Sequence, residues 1–229
     1  MAGLLTADDV AFAYGSTSAL RGITLSPPDH GSVAIRGLSG SGKSTLLQCL
    51  AGLLLPASRH VRYCGRSTAE LSEADRSSIR LSDFGFVFQF GYLVPELTLL
   101  ENTALPGWLG GASRREATMA ASRTLDHLGI GDVAGRLPGE VSGGQMQRAA
   151  VARAVVHKPR VIFADEPTGA LDSANAALVF DTLLQQARDL GALLLVVTHE
   201  NGLAERCDRT VTMTDGRILE AATLSGPGR

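Results

Sequence analysis

Cysteine is scarce in this chain of 229 residues, which contains only Cys49, Cys64 and Cys207. The three are far apart in the sequence, none belongs to a Cys-x-x-Cys pair, and no histidine stands at metal-ligand spacing from them. An odd and scattered set of this kind excludes a disulfide framework and a cysteine-based zinc site. We therefore expect three free, buried thiols.

An excess of one charge is also lacking, because 21 basic and 23 acidic side chains leave a net charge of -2. Without a basic excess the chain offers no broad surface for nucleic acid or anionic lipid. The longest apolar stretches, at residues 46–56 and 192–197, are interrupted or too short to cross a bilayer, and the N-terminus lacks a signal-peptide pattern. We expect a cytosolic protein with no nucleic-acid partner.

Glycine, in contrast, is concentrated where it can bind phosphate. Residues 37–44 read Gly-Leu-Ser-Gly-Ser-Gly-Lys-Ser and fit the pattern G-x-x-x-x-G-K-[ST]. In this loop the backbone N–H groups converge on phosphates, the lysine (Lys43) reaches the β and γ oxygens, and the final serine (Ser44) meets Mg²⁺. An apolar run at 32–35 before the loop and a helical pattern at 45–50 after it supply the strand–loop–helix context. The sequence therefore predicts a nucleotide site.

The remaining pattern predicts an α/β fold with a P-loop NTPase core. Short strands at 10–14, 22–25 and 32–35 indicate an N-terminal β layer, which we expect to be antiparallel. Apolar strands at 84–88, 161–164 and 193–197 are typical of a mostly parallel sheet, and helices are predicted from 113 to 128, 142 to 156 and 173 to 190. The stretch from Gln89 to about Ala112 is rich in loop residues and is the expected partner surface.

These elements fit a single domain that spans residues 1–229. Its core, including the β layer, is expected at 1–88 and 160–229. A helical subdomain is inserted at about 90–158, between two strands of the sheet.

Polar side chains follow the predicted buried strands. Asp165 and Glu166 end one strand, Gln89 follows another and His199 follows a third. Because parallel strands direct their carboxyl ends to one crevice, we predict that Asp165 binds the metal or its water shell and Glu166 polarises the attacking water. Gln89 could touch the metal and the water, and His199 the γ-phosphate. Taken alone, an Asp-Glu pair is often an exposed acidic turn, and the phosphate loop elsewhere in the chain argues against that alternative.

A second glycine-rich segment, Ser142-Gly143-Gly144-Gln145, starts a predicted helix. Its S-x-x-Q spacing could be a capping box without any further function. Two successive glycines in a first turn are costly to a helix, by about 1 kcal/mol each relative to alanine, and favour a backbone that approaches an anion. Because the segment lies in the helical lobe, we predict that it meets phosphate bound by another subunit.

Together these motifs resemble the nucleotide-binding subunit of an ATP-binding cassette (ABC) transporter over nearly the whole chain. Gln89 matches the Q-loop, residues 141–145 the signature loop, 161–166 the Walker B strand, 169–172 the D-loop and His199 the switch histidine. The segments around 88–106, 142–148 and 165–172 are most similar to the macrolide-exporter and lipoprotein-releasing branch. Val141, Arg36 and Leu38 depart from the usual pattern, which has leucine, an apolar residue and proline at these positions.

The resemblance implies an ATPase that binds ATP and Mg²⁺ in a head-to-tail dimer, which we expect to be a homodimer. Catalysis is assigned to Glu166, His199, Gln89 and Lys43, and the metal to Ser44, Gln89 and Asp165. The nucleotide contacts that it implies, with Tyr14 stacking on adenine, are Tyr14, Ser39, Gly40, Ser41, Gly42, Lys43, Ser44, Thr45, Ser142, Gly143, Gly144, Gln145 and Asp172.

The resemblance also implies a partner, an integral membrane permease that contacts the segment from Phe90 to Asn102. The chain would then lie on the cytoplasmic side of the cell membrane, attached peripherally through that permease. An alternative stays open at this point. A soluble cassette ATPase, or a scaffold in which ATP only toggles binding, would carry the same motifs, although the balanced charge disfavours versions that act on DNA or ribosomes.

Overall fold

The computed structural model describes residues 3–56 and 60–223, in which the chain forms ten strands and seven α-helices. The strands are β1 Leu5–Tyr14, β2 Thr17–Leu25, β3 Gly31–Arg36, β4 Val61–Tyr63, β5 Arg66–Ser67, β6 Phe84–Phe88, β7 Val161–Asp165, β8 Leu193–Val197, β9 Arg209–Thr214 and β10 Arg217–Thr223. The helices are α1 Lys43–Leu50, α2 Glu73–Asp83, α3 Leu99–Leu109, α4 Arg114–His127, α5 Gly143–Val155, α6 Ser173–Leu190 and α7 Asn201–Ala204.

The described strands form two sheets, as the sequence predicts. The first, in the order β2-β1-β4-β5, is antiparallel and contains two of the three strands predicted for the N-terminal β layer. The prediction is wrong for the third, at 32–35, because β3 pairs in parallel with β8 and β9 and so belongs to the second sheet. The second has the order β10-β9-β3-β8-β7-β6, and all of its neighbouring pairs are parallel except β9 with β10. The order means that β3, β8, β7 and β6 end side by side at one edge of the sheet.

The parallel sheet separates two hydrophobic cores, because alternate residues of a strand point to opposite faces. In β7, Val161 and Phe163 pack into the core that contains α1 and the β layer. Ile162 and Ala164 pack into the other core, against residues of α5 and α6. Every residue of β8 is buried, which explains the unbroken apolar run that identified this strand in the sequence.

The loop-rich interpretation of residues 89–112 is wrong in part, because α3 occupies its second half. A capping box starts this helix: the Thr98 side chain accepts a hydrogen bond from the Glu101 N–H, and the Glu101 carboxylate accepts one from the Thr98 N–H. The buried amide of Asn102 bonds to the backbone of Val94 at both its oxygen and its nitrogen. Pro106, a residue type that usually favours loops, lies inside the helix.

The expectation of three buried thiols is wrong for Cys64. This residue is exposed, with a φ angle of 49° in a turn, and its sulfur accepts a hydrogen bond from Arg160 at 3.2 Å. Cys49 and Cys207 are buried, and burial raises the pKa of each thiol to about 12. Among the helices of the described residues, none combines the length and the apolar character needed to cross a membrane.

Candidate functional site

The carboxyl ends of four neighbouring strands bring the predicted catalytic residues together. The phosphate loop follows β3, and Gln89 follows β6. Asp165 is the last residue of β7 and Glu166 comes directly after it, while His199 stands two residues beyond β8. These are separate parts of the sequence, and the parallel pairing of β3, β8, β7 and β6 places them at one edge.

The phosphate loop is held in place by its own lysine and by the β layer. Lys43 is 7% exposed, and its Nζ donates to the carbonyl oxygens of Gly37 at 2.9 Å and Leu38 at 3.0 Å. Gly42 has a φ angle of 96°, and a Cβ atom there would lie 2.5 Å from the Ala19 carbonyl oxygen. Only glycine fits this position. No side chain caps α1, so its first amides are available to an anion.

A cavity of about 450 Å³ lies on this loop and contains most of the predicted nucleotide contacts. Tyr14 lines it with 52% of its surface exposed, beside Phe12 at 5.0 Å between ring centroids. The other lining residues are Thr17, Ser18, Ala19, Ser39, Gly40, Gly42, Lys43, Ser44, Thr45 and Glu166. Ser41 does not line this cavity. Its side chain is buried, and its hydroxyl finds no hydrogen-bond partner within the described residues.

Ser44 and Asp165 form the expected pair of metal-ligand candidates. The Ser44 hydroxyl donates to Asp165 Oδ1 at 2.8 Å. Burial raises the pKa of the Asp165 carboxyl, and the nearby Glu166 adds to this effect, whereas the Ser44 hydrogen bond and Lys43 act in the opposite direction. A desolvated carboxylate next to a hydroxyl is a favourable place for a small, hard cation that binds oxygen.

Glu166 and His199 are in direct contact, with 2.7 Å between Glu166 Oε2 and His199 Nδ1. Glu166 has a φ angle of 48°, which is uncommon for a residue other than glycine. Its backbone N–H donates to the Val197 carbonyl at 3.0 Å, and its carbonyl accepts from the Gly169 N–H at 3.1 Å. The two bonds hold this strained turn, which aims the carboxylate at the crevice.

Gln89 lies beside the Ser44–Asp165 pair. It lines a cavity of about 240 Å³ together with Ser44, Gln48, Phe88, Phe90, Tyr92, Asp165 and Glu166. Its side chain packs against Gly169, where an added Cβ atom would lie 2.9 Å from Gln89 Nε2. The structure therefore brings Gln89 to the carboxylates, as the sequence predicts.

The second glycine-rich segment does not join this site within one chain. The cavities around the phosphate loop are lined by none of its residues. Instead, Ser142 and Gln145 form a reciprocal capping box at the start of α5, with Ser142 exposed. Gly144 lies against α6, since a Cβ atom there would be 2.6 Å from Asn175 Oδ1. Asp172 caps α6 by accepting the Asn175 N–H at 3.0 Å. One of the two glycines thus has a packing reason that the sequence argument did not include.

Sequence reasoning missed two residues that hold the segment around Gln89. Gln147 is buried, and its Nε2 donates to the Phe88 carbonyl at 2.8 Å. The guanidinium of Arg153 donates to the carbonyls of Gly91 at 2.7 Å and Tyr92 at 2.8 Å. Both side chains come from α5, the helix that starts at the second glycine-rich segment. The sequence carries no local signal for these contacts, because the partners are backbone atoms 59 to 62 residues away.

Comparison with known proteins gives matches along nearly the whole chain. A family model described as ABC transporter matches residues 20–169. The lipoprotein-releasing system ATP-binding protein LolD of Aquifex aeolicus is 43% identical over 223 residues, which cover 97% of this chain and 99% of the relative. LolD of Shewanella frigidimarina is 39% identical over 212 residues, covering 93% of this chain and 88% of the relative.

Solved structures match equally well. The dimeric structure of MJ0796, a bacterial ABC transporter cassette, superimposes with a TM-score of 0.89 at 33% identity, covering 97% of this chain and 100% of that one. A dimeric post-hydrolysis state of the ATP-binding cassette MJ0796, bound to ADP and Pi, gives 0.88 at 32% identity with the same coverage. The α/β fold predicted from the sequence is confirmed.

Proposed function

The chain belongs to the ABC transporter family, and on this basis we propose which of its residues bind and hydrolyse ATP. It is an ATP-binding and ATP-hydrolysing subunit of a transporter that works with a membrane permease and a second ATPase subunit. The family predicted from the sequence is confirmed, and the soluble alternative gains no support from the relatives. The single observation that carries the assignment of residues is the contact of Glu166 with His199, next to the Ser44–Asp165 pair.

Lys43 and the loop amides bind the triphosphate in this proposal. Lys43 now donates to two carbonyls of its own loop, so its ammonium is already positioned at the rim of the cavity. A bound β- or γ-phosphate would offer it a charged acceptor in place of neutral ones, and charge-assisted hydrogen bonds are about twice as strong. Tyr14 would stack on the adenine through its exposed ring. Ser39, Gly40, Gly42, Ser44 and Thr45 complete the cradle.

Glu166 acts as the general base. As the water oxygen bonds to the γ-phosphorus, Glu166 accepts the water proton, and the bond from the phosphorus to the bridging oxygen of ADP breaks. His199 holds the carboxylate through its Nδ1 contact. Within the described part of the chain its other ring nitrogen has no partner, so it can bond the γ-phosphate. Gln89 orients the water from the neighbouring cavity.

Mg²⁺ fits the residues that the sequence singled out. Ser44 and Asp165 offer two hard oxygen ligands 2.8 Å apart, and Gln89 lines the same cavity. In the described parts of the chain, no group of three or more His, Cys, Asp or Glu side chains could hold a metal alone. Phosphate oxygens would therefore complete the coordination. When bound, the ion would neutralise charge that develops on the transferred phosphoryl group.

The second glycine-rich segment completes the site from another copy of the chain. Ser142 and Gly143 are exposed at the start of α5, so their side chain and backbone can face a partner. In a head-to-tail dimer, residues 142–145 and Asp172 of each copy would cover the phosphates held by Lys43 of the other. ATP would then bind the closed state better than the open one, and hydrolysis would reverse that preference.

The permease contact lies in the segment from Phe90 to Asn102. Its exposed large hydrophobic residues are Phe90 at 57% and Tyr92 at 65% exposure, whereas Leu99 and Asn102 are fully buried. We therefore place the contact at the first residues of this segment. It would hold the chain at the cytoplasmic side of the membrane. The relatives are named as parts of lipoprotein-releasing systems. We propose that the complex formed by this chain also releases lipoproteins.

The same assignment gives one ATPase domain over residues 1–229. In this proposal 1–88 and 160–229 form the core, and about 90–158 form the lobe that carries Gln89's loop and the second glycine-rich segment. The lobe contains α3, α4 and α5, which lie between β6 and β7 in the chain. From this lobe, Gln147 donates to the Phe88 carbonyl at the end of β6, and Arg153 donates to the Tyr92 carbonyl in the loop after it.

Replacement of Glu166 by glutamine tests the proposal. Glu166→Gln keeps the size of the side chain but cannot accept the proton, so hydrolysis should fall by about a hundredfold or more. ATP binding should persist, and an ATP-bound dimer should accumulate in size-exclusion chromatography with ATP. Glu205→Gln is the matched control, because Glu205 is exposed and lines none of the cavities around the phosphate loop. Hydrolysis by Glu166→Gln at the wild-type rate would refute the assignment.

A further inference from the structure

A separate cavity of about 580 Å³ lies beside the phosphate loop, and none of the proposed steps uses it. Its walls are the junction of β3 with the phosphate loop, the residues after β8 and the end of β9. The polar residues that line it are Arg36, Ser39, His199, Asn201, Thr212 and Thr214. Ser39 also lines the nucleotide cavity, so the two spaces meet at this residue.

Arg36 is anchored through its Nε, and its terminal nitrogens have no hydrogen-bond partner within residues 3–56 and 60–223. Its Nε donates to Thr212 Oγ1 at 3.1 Å, across the parallel pair of β3 and β9. In the ranges that the structure describes, Arg36 forms no ion pair. Arg153, in contrast, places both terminal nitrogens on carbonyl oxygens. The terminal nitrogens of Arg36 are therefore available to an acceptor that enters the cavity.

The lining of the cavity has the chemistry of an oxyanion site. It contains a guanidinium, an imidazole, an amide and three hydroxyl groups, all of which can donate hydrogen bonds. No aspartate or glutamate lines it to repel an anion. A guanidinium matches phosphate and carboxylate geometry through paired N–H donors, which makes an oxygen anion the best ligand for Arg36.

His199 connects this cavity to the proposed reaction. Its Nδ1 is 2.7 Å from Glu166 Oε2, on the nucleotide side, and its 60% exposed side chain lines the Arg36 cavity as well. Phosphate that is formed beside Glu166 and then leaves would pass His199 and Ser39 before it reaches Arg36.

We propose that Arg36, Ser39 and His199 form a subsite for an oxyanion, and that its ligand is the inorganic phosphate released by hydrolysis. This inference rests on the proposed function, because hydrolysis must supply the phosphate. It also gives a role to the arginine that stands where the family resemblance implies an apolar residue. Phosphate held there after cleavage would leave slowly and would inhibit the enzyme.

The direct test is isothermal titration calorimetry, in which inorganic phosphate is added to the full chain in the presence of ADP and Mg²⁺. Arg36→Met, which keeps the length and removes the charge, should weaken phosphate binding by about tenfold or more, since charge-assisted hydrogen bonds are lost. Arg36→Lys keeps the charge and should fall between Arg36→Met and the wild type. In the ATPase assay, the phosphate concentration that halves the rate should rise by the same factor in Arg36→Met, with the KM for ATP nearly unchanged.

Three results would overturn the proposal. Equal phosphate binding by the wild type and Arg36→Met would remove Arg36 from any phosphate site. A KM for ATP that rises in parallel would place Arg36 in the nucleotide cavity instead. Unchanged phosphate binding, together with loss of the ATP-dependent dimer when Arg36→Met is added to Glu166→Gln, would identify the anion as a carboxylate of the second copy. A wild-type chain that binds phosphate through Arg36 but does not hydrolyse ATP would support the subsite and refute the proposed function.

Discussion

The phosphate loop and the second glycine-rich segment are both rich in glycine, yet they differ in their contacts with the rest of the chain. The second half of the loop packs against its own chain: Lys43 is buried, a Cβ atom on Gly42 would lie 2.5 Å from the Ala19 carbonyl oxygen, and Ser44 bonds to Asp165. The segment at 142–145 forms a capping box, and Gly144 is buried against Asn175, but Ser142 at its start is exposed. The phosphate loop is thus the organised region, which contacts within its own chain hold in place. The segment at 142–145 is the exposed region, which can face a partner. Glycine spacing alone therefore does not show whether one chain forms the whole binding site. The contacts of the residues around the motif show it.

The largest effect is expected at the organised region. Lys43→Ala should reduce hydrolysis by about a thousandfold, because the clamp on the phosphoryl oxygens is lost in a site built around it. The chain has one other lysine, the exposed Lys158, and Lys158→Ala is the matched control. Steady-state ATPase rates and binding of a fluorescent ATP analogue measure the effect. Full activity of Lys43→Ala would show that the loop is not the phosphate site.

A smaller but more selective loss is expected at the exposed segment. Ser142→Asp keeps an efficient N-cap for α5 but places a carboxylate where the phosphates of the second copy should lie. Hydrolysis should fall by about a hundredfold, and binding of ATP to the monomer should not change. Ser142→Asn, an equally good cap without charge, should stay far more active. If the two variants were equally active, residue 142 would not face phosphate.

The smallest effect is expected from removing an N-cap, and it separates the capping role of Ser142 from its proposed role in binding phosphate. Ser142→Ala and Thr98→Ala each remove one N-cap, from α5 and α3 respectively, and each should lower the free energy of unfolding by about 1 kcal/mol. Urea denaturation followed by the fluorescence of Trp108, the single tryptophan, measures both. Only Ser142→Ala should also lower ATPase activity. Equal activity of the two variants would leave Ser142 with a capping role alone.

The sequence predicted the organised region well, because phosphate chemistry fixes residue types at fixed spacing. The structure brings Ser44 to Asp165 and His199 to Glu166 at the carboxyl ends of the strands, and the roles of these residues stay predictions. Helix α2 was missed although Ser72 caps its start and Ile79 packs against the core, because polar residues dominate the helix and none of its residues is fully buried. Strand β9 alternates threonine with apolar residues and could have been found from that period.

The exposed region was harder to interpret from sequence. The same four residues fit both a capping box and an anion-binding site, so the sequence does not separate the two. The packing of Gly144 on Asn175 became visible only in three dimensions. Helix α3 was hidden by Pro106, although the Thr98–Glu101 capping box marks its start. The contacts of Gln147 and Arg153 depend on backbone atoms brought near by the fold, so residue type alone gives no signal for them.

The central claim is that each complete ATP site is divided between two copies of the chain, and mixing two inactive variants tests it most directly. Lys43→Ala and Ser142→Asp should each be nearly inactive alone. In a head-to-tail mixed dimer, one of the two sites carries both defects and the other carries neither, so ATPase activity should return when the variants are combined. If the mixture stays as inactive as its components, although mixed dimers are demonstrated by differently tagged chains, the site is not shared in this way.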